Sequence, residues 1–587
     1  MRQKLSGVST KKASDLGAIQ SLYDKGEFRK VMFRAQKALK VQPDHVGLHA
    51  LAGFSAQQLG DALAAESFLT KAAHLAQHEE AAIELPLGLT KVGRPALAVP
   101  LFVAFLKKAP THAATLNGLG RALLAMGEVE NAIAILGDAL KHGADQPAYA
   151  MDLGEAFEES GQQVLALECY SIACKLAPDD VGPVLRAARL MYALGQLESG
   201  LELLEHGLSL WPENAALLSN HASVLNALGR KADALAQWRQ VMDIAPGYSI
   251  AYCNFANSQK PSQIADFEDR IAAQLKRDPA PTDALKFGFA KVAVHEERGE
   301  YAEAYRNLLA ANALRFKETR FNIDTEARLV EGLKRQFADQ RDLDVDEPED
   351  DPTPVFIVGM PRAGSSLTET IIGRHSQVVQ KGELDYLAQV VKQMNLLCSP
   401  LEAAQATQLR QAYLARLTQT GSGAFITDKM PQNFRLIGHI ATAMPKARIV
   451  HVHRNPKACC WSNFRHFYAS DSLGFTNDVE SLIRYFELYQ DLMAFWHERF
   501  PNRIIDVDYE ALVGDPDTQI PNLIQTLGLE WQEACLAPQD SANVVRTASQ
   551  EQVRKKIYKG SADGWRKYEA QAGGWLSRLP DHQSTGG

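Results

Sequence analysis

Cysteine is scarce: seven in 587 residues, without a CxxC pair, two of them adjacent at Cys459-Cys460. That spacing excludes a disulfide framework and a four-thiolate zinc site. It fits a reducing compartment, so a cytoplasmic location is expected. Long apolar runs are also missing, and with no stretch of 18 such residues no membrane-spanning helix is expected. The opening segment MRQKLSGVSTKKASD is basic but leads into no apolar core, so no signal peptide is expected. Neither sign of charge dominates: 62 Lys and Arg against 70 Asp and Glu leave −8. A nucleic-acid partner is therefore not expected, while a local basic pocket stays open. The hydrophobic share of 46% and charged share of 22% are those of a folded chain. The length suggests about two to four domains at roughly 150 residues each.

What is present first is a period. Gly26, Gly60, Gly93, Gly127, Gly161, Gly195 and Gly229 stand 34, 33, 34, 34, 34 and 34 residues apart. Pro43, Pro110, Pro178, Pro212 and Pro246 keep the same step, singly or doubled. Ala132, Ala166, Gly200 and Ala234 each follow a series glycine by five residues, and Leu119-Gly120 recurs as Leu153-Gly154. Such a unit suits two amphipathic helices: glycine at the turn between them, small residues where they cross, proline where the second ends. The pattern resembles the tetratricopeptide repeat. It predicts a helical solenoid from about residue 15, with 1–257 as the first domain. Its groove could hold a peptide, or the array could only space, pack or dimerise the rest, which leaves the oligomeric state open.

Residues 258–352 are less regular and read as a helical connector. Ala284–Lys317 looks like one more helix pair turning at Gly299, and the acidic run Asp342–Pro354 reads as a solvated linker.

Beyond the linker the period changes. Pro354–Val358 (PVFIV) has the composition of a buried parallel strand, and Gly359-Met-Pro-Arg362-Ala363-Gly364-Ser365-Ser366 leads from it into a helical segment. Strand, glycine loop and helix start aim backbone N–H groups at a phosphate. The spacing is that of a P-loop, yet Ser365 stands where an ATPase or GTPase carries the Lys that reaches the β and γ phosphates. Arg362 is the nearest cation. Further strand ends are expected at Phe425-Ile-Thr-Asp-Lys429-Met-Pro431, at Ala447–Pro456 and within Arg503–Pro516.

Taken together, these segments resemble sulfotransferases that use 3′-phosphoadenosine 5′-phosphosulfate. The loop Pro361–Leu367 is similar to their 5′-phosphosulfate loop, implying that Arg362, Ala363, Gly364, Ser365 and Ser366 bind the donor. Arg454 with Ser462 eight residues on resembles their 3′-phosphate motif, and Tyr509-Glu510 resembles a nucleotide-contacting Tyr-Glu. Gly382-Glu383-Leu384 resembles the tyrosylprotein sulfotransferase segment whose Glu is the base, and Lys429-Met-Pro resembles that group's transition-state Lys. Ser549 lies in a segment similar to its Ser-x-x-Gln-Val. The whole resembles the bacterial tetratricopeptide-repeat sulfotransferases, with an α/β P-loop-like domain around a parallel sheet over 353–587. The resemblance is incomplete. An Arg of that group aligns with His466, beside Arg465, and a late Lys falls near Gly564, leaving Lys559 or Arg566 as substitutes.

The residue types suit that chemistry. A carboxylate such as Glu383 can take an acceptor hydroxyl proton, a cation such as Lys429 can steady the leaving oxygen, and Ser549 can donate a second hydrogen bond. No metal is expected, since the donor has no γ-phosphate to bridge; His451 and His453 lack a third ligand in the sequence. By themselves Glu383 also reads as a helix-start carboxylate and Lys429 as a solvated loop cation. Trp461 and the aromatics of 485–496 read as helix packing. A P-loop kinase-like transferase, a non-catalytic repeat scaffold and a repeat-fused glycosyltransferase are the alternatives. The acceptor hydroxyl, whether of a peptide tyrosine, a sugar, a lipid or a phenol, is left open.

Overall fold

The computed structural model describes residues 13–75, 79–258, 261, 264, 266–319, 321–397, 399–418, 421, 423–468, 470–540 and 563–581. The chain divides into two compact units, Met1–Leu194 and Gly195–Gly587.

The first unit is a stack of antiparallel helix pairs, from Ala13–Asp24 with Phe28–Leu39 to Pro147–Glu159 with Gln163–Leu176, followed by Val181–Leu194. The glycines of the 34-residue series sit at left-handed turns, with φ between +74° and +86°, a conformation costly for a residue with a Cβ. The small residues matter where helices cross. A Cβ on Gly154 would lie 2.5 Å from the Tyr170 ring, whose hydroxyl donates to Glu158 across the same pair. The first helices of successive repeats are joined by polar rungs: Asn117 donates to Asp152 (2.9 Å), Arg186 to Glu155 (2.5 Å), and Arg189 pairs with Glu158.

The second unit begins with further helix pairs, including Pro281–Glu297 and Tyr301–Glu318 turning at Gly299 (φ +75°), then the helix Ile323–Ala338. A five-stranded parallel sheet follows: β1 Thr353–Gly359, β2 Val378–Val379, β3 Phe425–Asp428, β4 Arg448–His453 and β5 Ile504–Asp508, in the order β2-β3-β1-β4-β5. β1 is the central strand and Val355–Val358 are fully buried, as an apolar run covered on both faces requires. Polar residues close the strand ends. Asn455 accepts from Ala458 N–H and Asp508 from Ala511 N–H, each capping the helix after its strand and stopping the strand there.

The connector belongs to the same core as the sheet. Phe337, fully buried, meets His439 and Trp496 edge-on, with ring centroids 4.9 and 5.5 Å apart. Asn312 donates to the Phe464 carbonyl (2.8 Å), and Lys334 pairs with Asp491 (2.8 Å). The acidic segment expected to be a solvated linker is exposed at Asp342, Asp344, Asp346, Glu349 and Asp350, but two of its carboxylates are anchored. Arg410, almost fully buried, pairs with Asp351 and Glu347, and Lys446 N–H donates to Glu347. A buried guanidinium needs such partners, which draws the acidic run onto the domain. Among the described residues no helix is long and apolar enough to cross a membrane.

Candidate active site

The loop after β1 is built by three tight positions. Arg362 (φ +68°) and Gly364 (φ +114°) are left-handed, and at Gly359 (φ +146°) a Cβ would lie 2.3 Å from the Val452 carbonyl oxygen. The turn delivers the chain to the helix Ser365–Ile372, whose first two serines are buried at the N-terminus. The first N–H groups of a helix have no partner within it, so this end suits an anion.

Cations converge on the loop from the next strand. Arg454, at the carboxyl end of β4, donates to the Arg362 carbonyl (2.9 Å), and Arg362 Nε donates to Ser462 Oγ (3.0 Å). Asn455 and Pro456 start the helix Pro456–Arg465, which brings Ser462 to the loop two turns later. Tyr509, first in the helix capped by Asp508, lies between Gly364 and Arg454; its ring centre is 4.7 Å from the guanidinium carbon. A Cβ on Gly364 would come within 2.2 Å of that ring. Asn455 N–H donates to Glu510 (3.1 Å), so the Tyr-Glu pair ties β4 to β5. Burial, with the nearby Arg454 charge, pulls the Arg362 pKa below the usual arginine value, favouring an anionic ligand here.

At the other edge of the loop lie the two residues expected to act on the acceptor and leaving group. Lys429, immediately after β3, is fully buried rather than solvated, and its ammonium donates to Glu383 Oε1 at 2.7 Å; the Glu383 side chain is half exposed. Glu383 lies ahead of the helix Tyr386–Gln393 and not in its first turn. Lys429 N–H donates to the Gly382 carbonyl (2.8 Å). Glu369, on the helix Ser365–Ile372, accepts from Gly382 N–H (2.8 Å) and the Thr427 hydroxyl (2.7 Å). The glycine-loop helix is thereby tied to the loop that carries Glu383 and to the strand that carries Lys429. Just inside, Asp428 is fully buried, which pushes its pKa up to about 8 despite a hydrogen bond from Tyr413.

Thus Arg362, Ala363, Gly364, Ser365, Ser366, Arg454, Ser462 and Tyr509 gather around one loop, and Glu383 and Lys429 face each other beside it. Ser549, like Lys559, lies outside the described residues. Of the substitutes named for the incomplete motifs, Arg465 turns away to pair with Glu296, and Arg566 pairs with Asp563 (2.8 Å) over Trp565. His466 is held neutral: burial, then the charges of Arg362 and Arg465, lower its pKa to about 3. Two residues of the site were missed from sequence. Glu369 had no signal beyond its place in the helix. Tyr468, whose hydroxyl donates to Asn463 (3.1 Å), is raised chiefly by burial and feels both Arg362 and Glu383. Only its spacing after Arg454 could have pointed to it.

Residues 354–533 match the Sulfotransferase family, and residues 89–153 match the Tetratricopeptide repeat. An uncharacterized protein of Aquifex aeolicus (strain VF5) is 28% identical over 375 residues, 59% of this chain and 48% of its own. The chain thus spans about half the length of that curated relative. Among solved structures, the sulfotransferase domain of the Synechococcus PCC 7002 olefin synthase is 22% identical with a TM-score of 0.26, covering 38% of this chain and 91% of that one. YrrB, a TPR protein with an unusual peptide-binding site, is 20% identical with a TM-score of 0.28, covering 31% and 95%. The chain joins tetratricopeptide repeats to a domain that matches the Sulfotransferase family.

Proposed function

We propose that this protein transfers a sulfuryl group from 3′-phosphoadenosine 5′-phosphosulfate to a hydroxyl acceptor, with Glu383 as the general base. The observation that carries this reading is the 2.7 Å pair of Glu383 with the buried Lys429, tied through Glu369 to the helix of an anion-binding loop. In the transfer, Glu383 takes the acceptor hydroxyl proton as that oxygen bonds to sulfur. The bond between sulfur and the bridging 5′-phosphate oxygen breaks, and the products are a sulfate ester and the 3′,5′-bisphosphate. Lys429 and the loop N–H groups meet the charge gathering on the departing oxygen. Arg454 and Ser462 recognise the 3′-phosphate, Tyr509 packs against the nucleotide, and Ser549 donates to the phosphosulfate. No metal takes part in this transfer. A Lys is missing at position 365, which counts against a kinase reading.

The acceptor class that the family resemblance favours is a tyrosine in a peptide or protein, held by the repeats. The polar rungs along their first helices offer an extended chain paired donors and acceptors. Glu383→Gln tests the assignment, since it keeps the side-chain shape but cannot take the proton. With labelled donor, turnover falls about 10²- to 10⁴-fold while bisphosphate affinity stays near wild type. Wild-type turnover at saturating donor and acceptor refutes it.

A further inference from the structure

On the far side of β4 from the Glu383–Lys429 pair, parallel pairing sets His451 of β4 directly beside Asp506 of β5. The last turn of the helix Val479–Arg499 adds His497 from above. His451 Nδ1 lies 2.7 Å from Asp506 Oδ1, and His497 Nε2 lies 3.4 Å from the same oxygen. Among the described residues this is a group whose three ligand atoms all fall within 4.8 Å of one another. We propose that His451, His497 and Asp506 form a binding site for a divalent first-row transition ion, with Zn²⁺ as the fitting occupant.

Three features support it. Ligands bound at about 2.0–2.2 Å from one ion stand about 3.0–3.5 Å apart, so the observed separations need only small rotations to take it in. Two imidazoles and one carboxylate, without thiolate, suit zinc and its neighbours better than calcium or magnesium. The outer nitrogen of His451 is already engaged: its Nε2 faces the hydroxyl of the buried Tyr489, which fixes the ring with Nδ1 turned to Asp506. A metal-bound histidine is commonly held by just such an outer partner.

The three residues line a cavity of about 480 Å³, together with His453, Arg454 and Ala363. An ion there would keep a coordination position toward the cavity, for water or an anionic oxygen. The partner that the sequence offered for His451 was His453, two residues on. It shares the cavity wall, while the ligands that close on His451 come from 46 and 55 residues further along the chain. The site shares this cavity with Arg454 and Ala363 of the proposed donor site, and its test reads metal binding rather than transfer.

The test uses the untagged full-length protein, freed of metal with chelator and desalted. Titration with Co²⁺ followed by visible d–d absorption, and with Zn²⁺ by calorimetry, should each show one equivalent bound, with Zn²⁺ displacing Co²⁺. His497→Ala and Asp506→Asn, both changes at half-exposed side chains, should abolish the stoichiometric signal. Tyr489→Phe should retain it with affinity about 10- to 100-fold weaker. X-ray absorption of the zinc-loaded wild type should report two imidazoles and oxygen, and this reading needs no variant to fold. The proposal is overturned if the wild type binds no equivalent of either ion. It is equally overturned if the two ligand variants, with native circular dichroism, bind as the wild type does, or if sulfur appears in the zinc shell.

Discussion

Replacing Gly364 by Ala places one methyl group in a tight part of the loop after β1. The backbone there has φ +114°, where an L-residue pays about 1–2 kcal/mol. The new Cβ would stand 2.2, 2.8 and 3.2 Å from three carbons of the Tyr509 ring, against an ordinary contact near 3.4–4 Å. The ring is also packed against Arg454, whose guanidinium carbon lies 4.7 Å from the ring centre, so any shift disturbs that contact. Overpacking of this kind costs about 1–3 kcal/mol, so the whole change should cost about 2–5 kcal/mol. Urea unfolding followed by tryptophan fluorescence measures it. A double-mutant cycle separates the parts: in a Tyr509→Ala background the same glycine substitution should cost only the backbone share, leaving a coupling energy of about 1–3 kcal/mol. Calorimetry with 3′-phosphoadenosine 5′-phosphate should show at least a tenfold weaker complex for Gly364→Ala, as the displaced loop loses its aim. A coupling energy near zero together with wild-type bisphosphate affinity would show that the Gly364–Tyr509–Arg454 stack does not shape the loop.

Other outcomes follow from the same geometry. If Arg454 recognises the 3′-phosphate as proposed, Arg454→Ala removes a charge-assisted contact of about 1.5–3 kcal/mol, so the preference for the 3′,5′-bisphosphate over adenosine 5′-phosphate should collapse in calorimetry. His439 is buried with Nε2 against the Leu396 carbonyl (2.9 Å), and burial lowers its pKa to about 4. The unfolded chain takes up this proton near the ordinary histidine value while the native chain does not. Stability should therefore fall as pH drops from about 6.5 to 4, by about 3 kcal/mol in all, and His439→Gln should flatten that part of the urea-midpoint profile. A fragment beginning at 353 loses Phe337 and Glu296, and with them the cover over His439 and Trp496 and the partner of Arg465. It should aggregate or unfold well below the full chain in a thermal melt, where a fragment beginning at 195 should not.

The repeats were legible because each glycine of the series answers to one backbone requirement, a left-handed turn, that recurs at fixed chain distance. The strands were legible for a similar local reason: β1, β3, β4 and β5 are short apolar runs that end on Gly359, Asp428, His453 and Asp508, where polar side chains or glycine begin the next loop. β2 escaped, since two residues carry no pattern. So did every feature made by residues far apart in sequence. Arg465 stands next to a motif position, yet Glu296, 169 residues away, claims it. The acidic linker reads as solvated until Arg410 is seen beneath it. Lys429 reads as an exposed loop cation, and its burial is decided by the strands on either side of it.

Glu369 has a consequence for how this domain can change over time. One carboxylate oxygen receives both the Gly382 N–H and the Thr427 hydroxyl, while the Glu369 carbonyl receives Gln380 Nε2. Removing the Glu369 carboxylate strands both the Gly382 N–H and the buried Thr427 hydroxyl, and an unpaired buried polar group costs about 1–3 kcal/mol. A change at Glu369 alone therefore unpairs two donors at once, whereas a change at Thr427 or Gln380 alone leaves the other bonds to Glu369 in place. Under the proposed function, new acceptor preferences are more accessible through segments that border Glu383, the helix Tyr386–Gln393 and the stretch after Arg465, which carry none of these three hydrogen bonds.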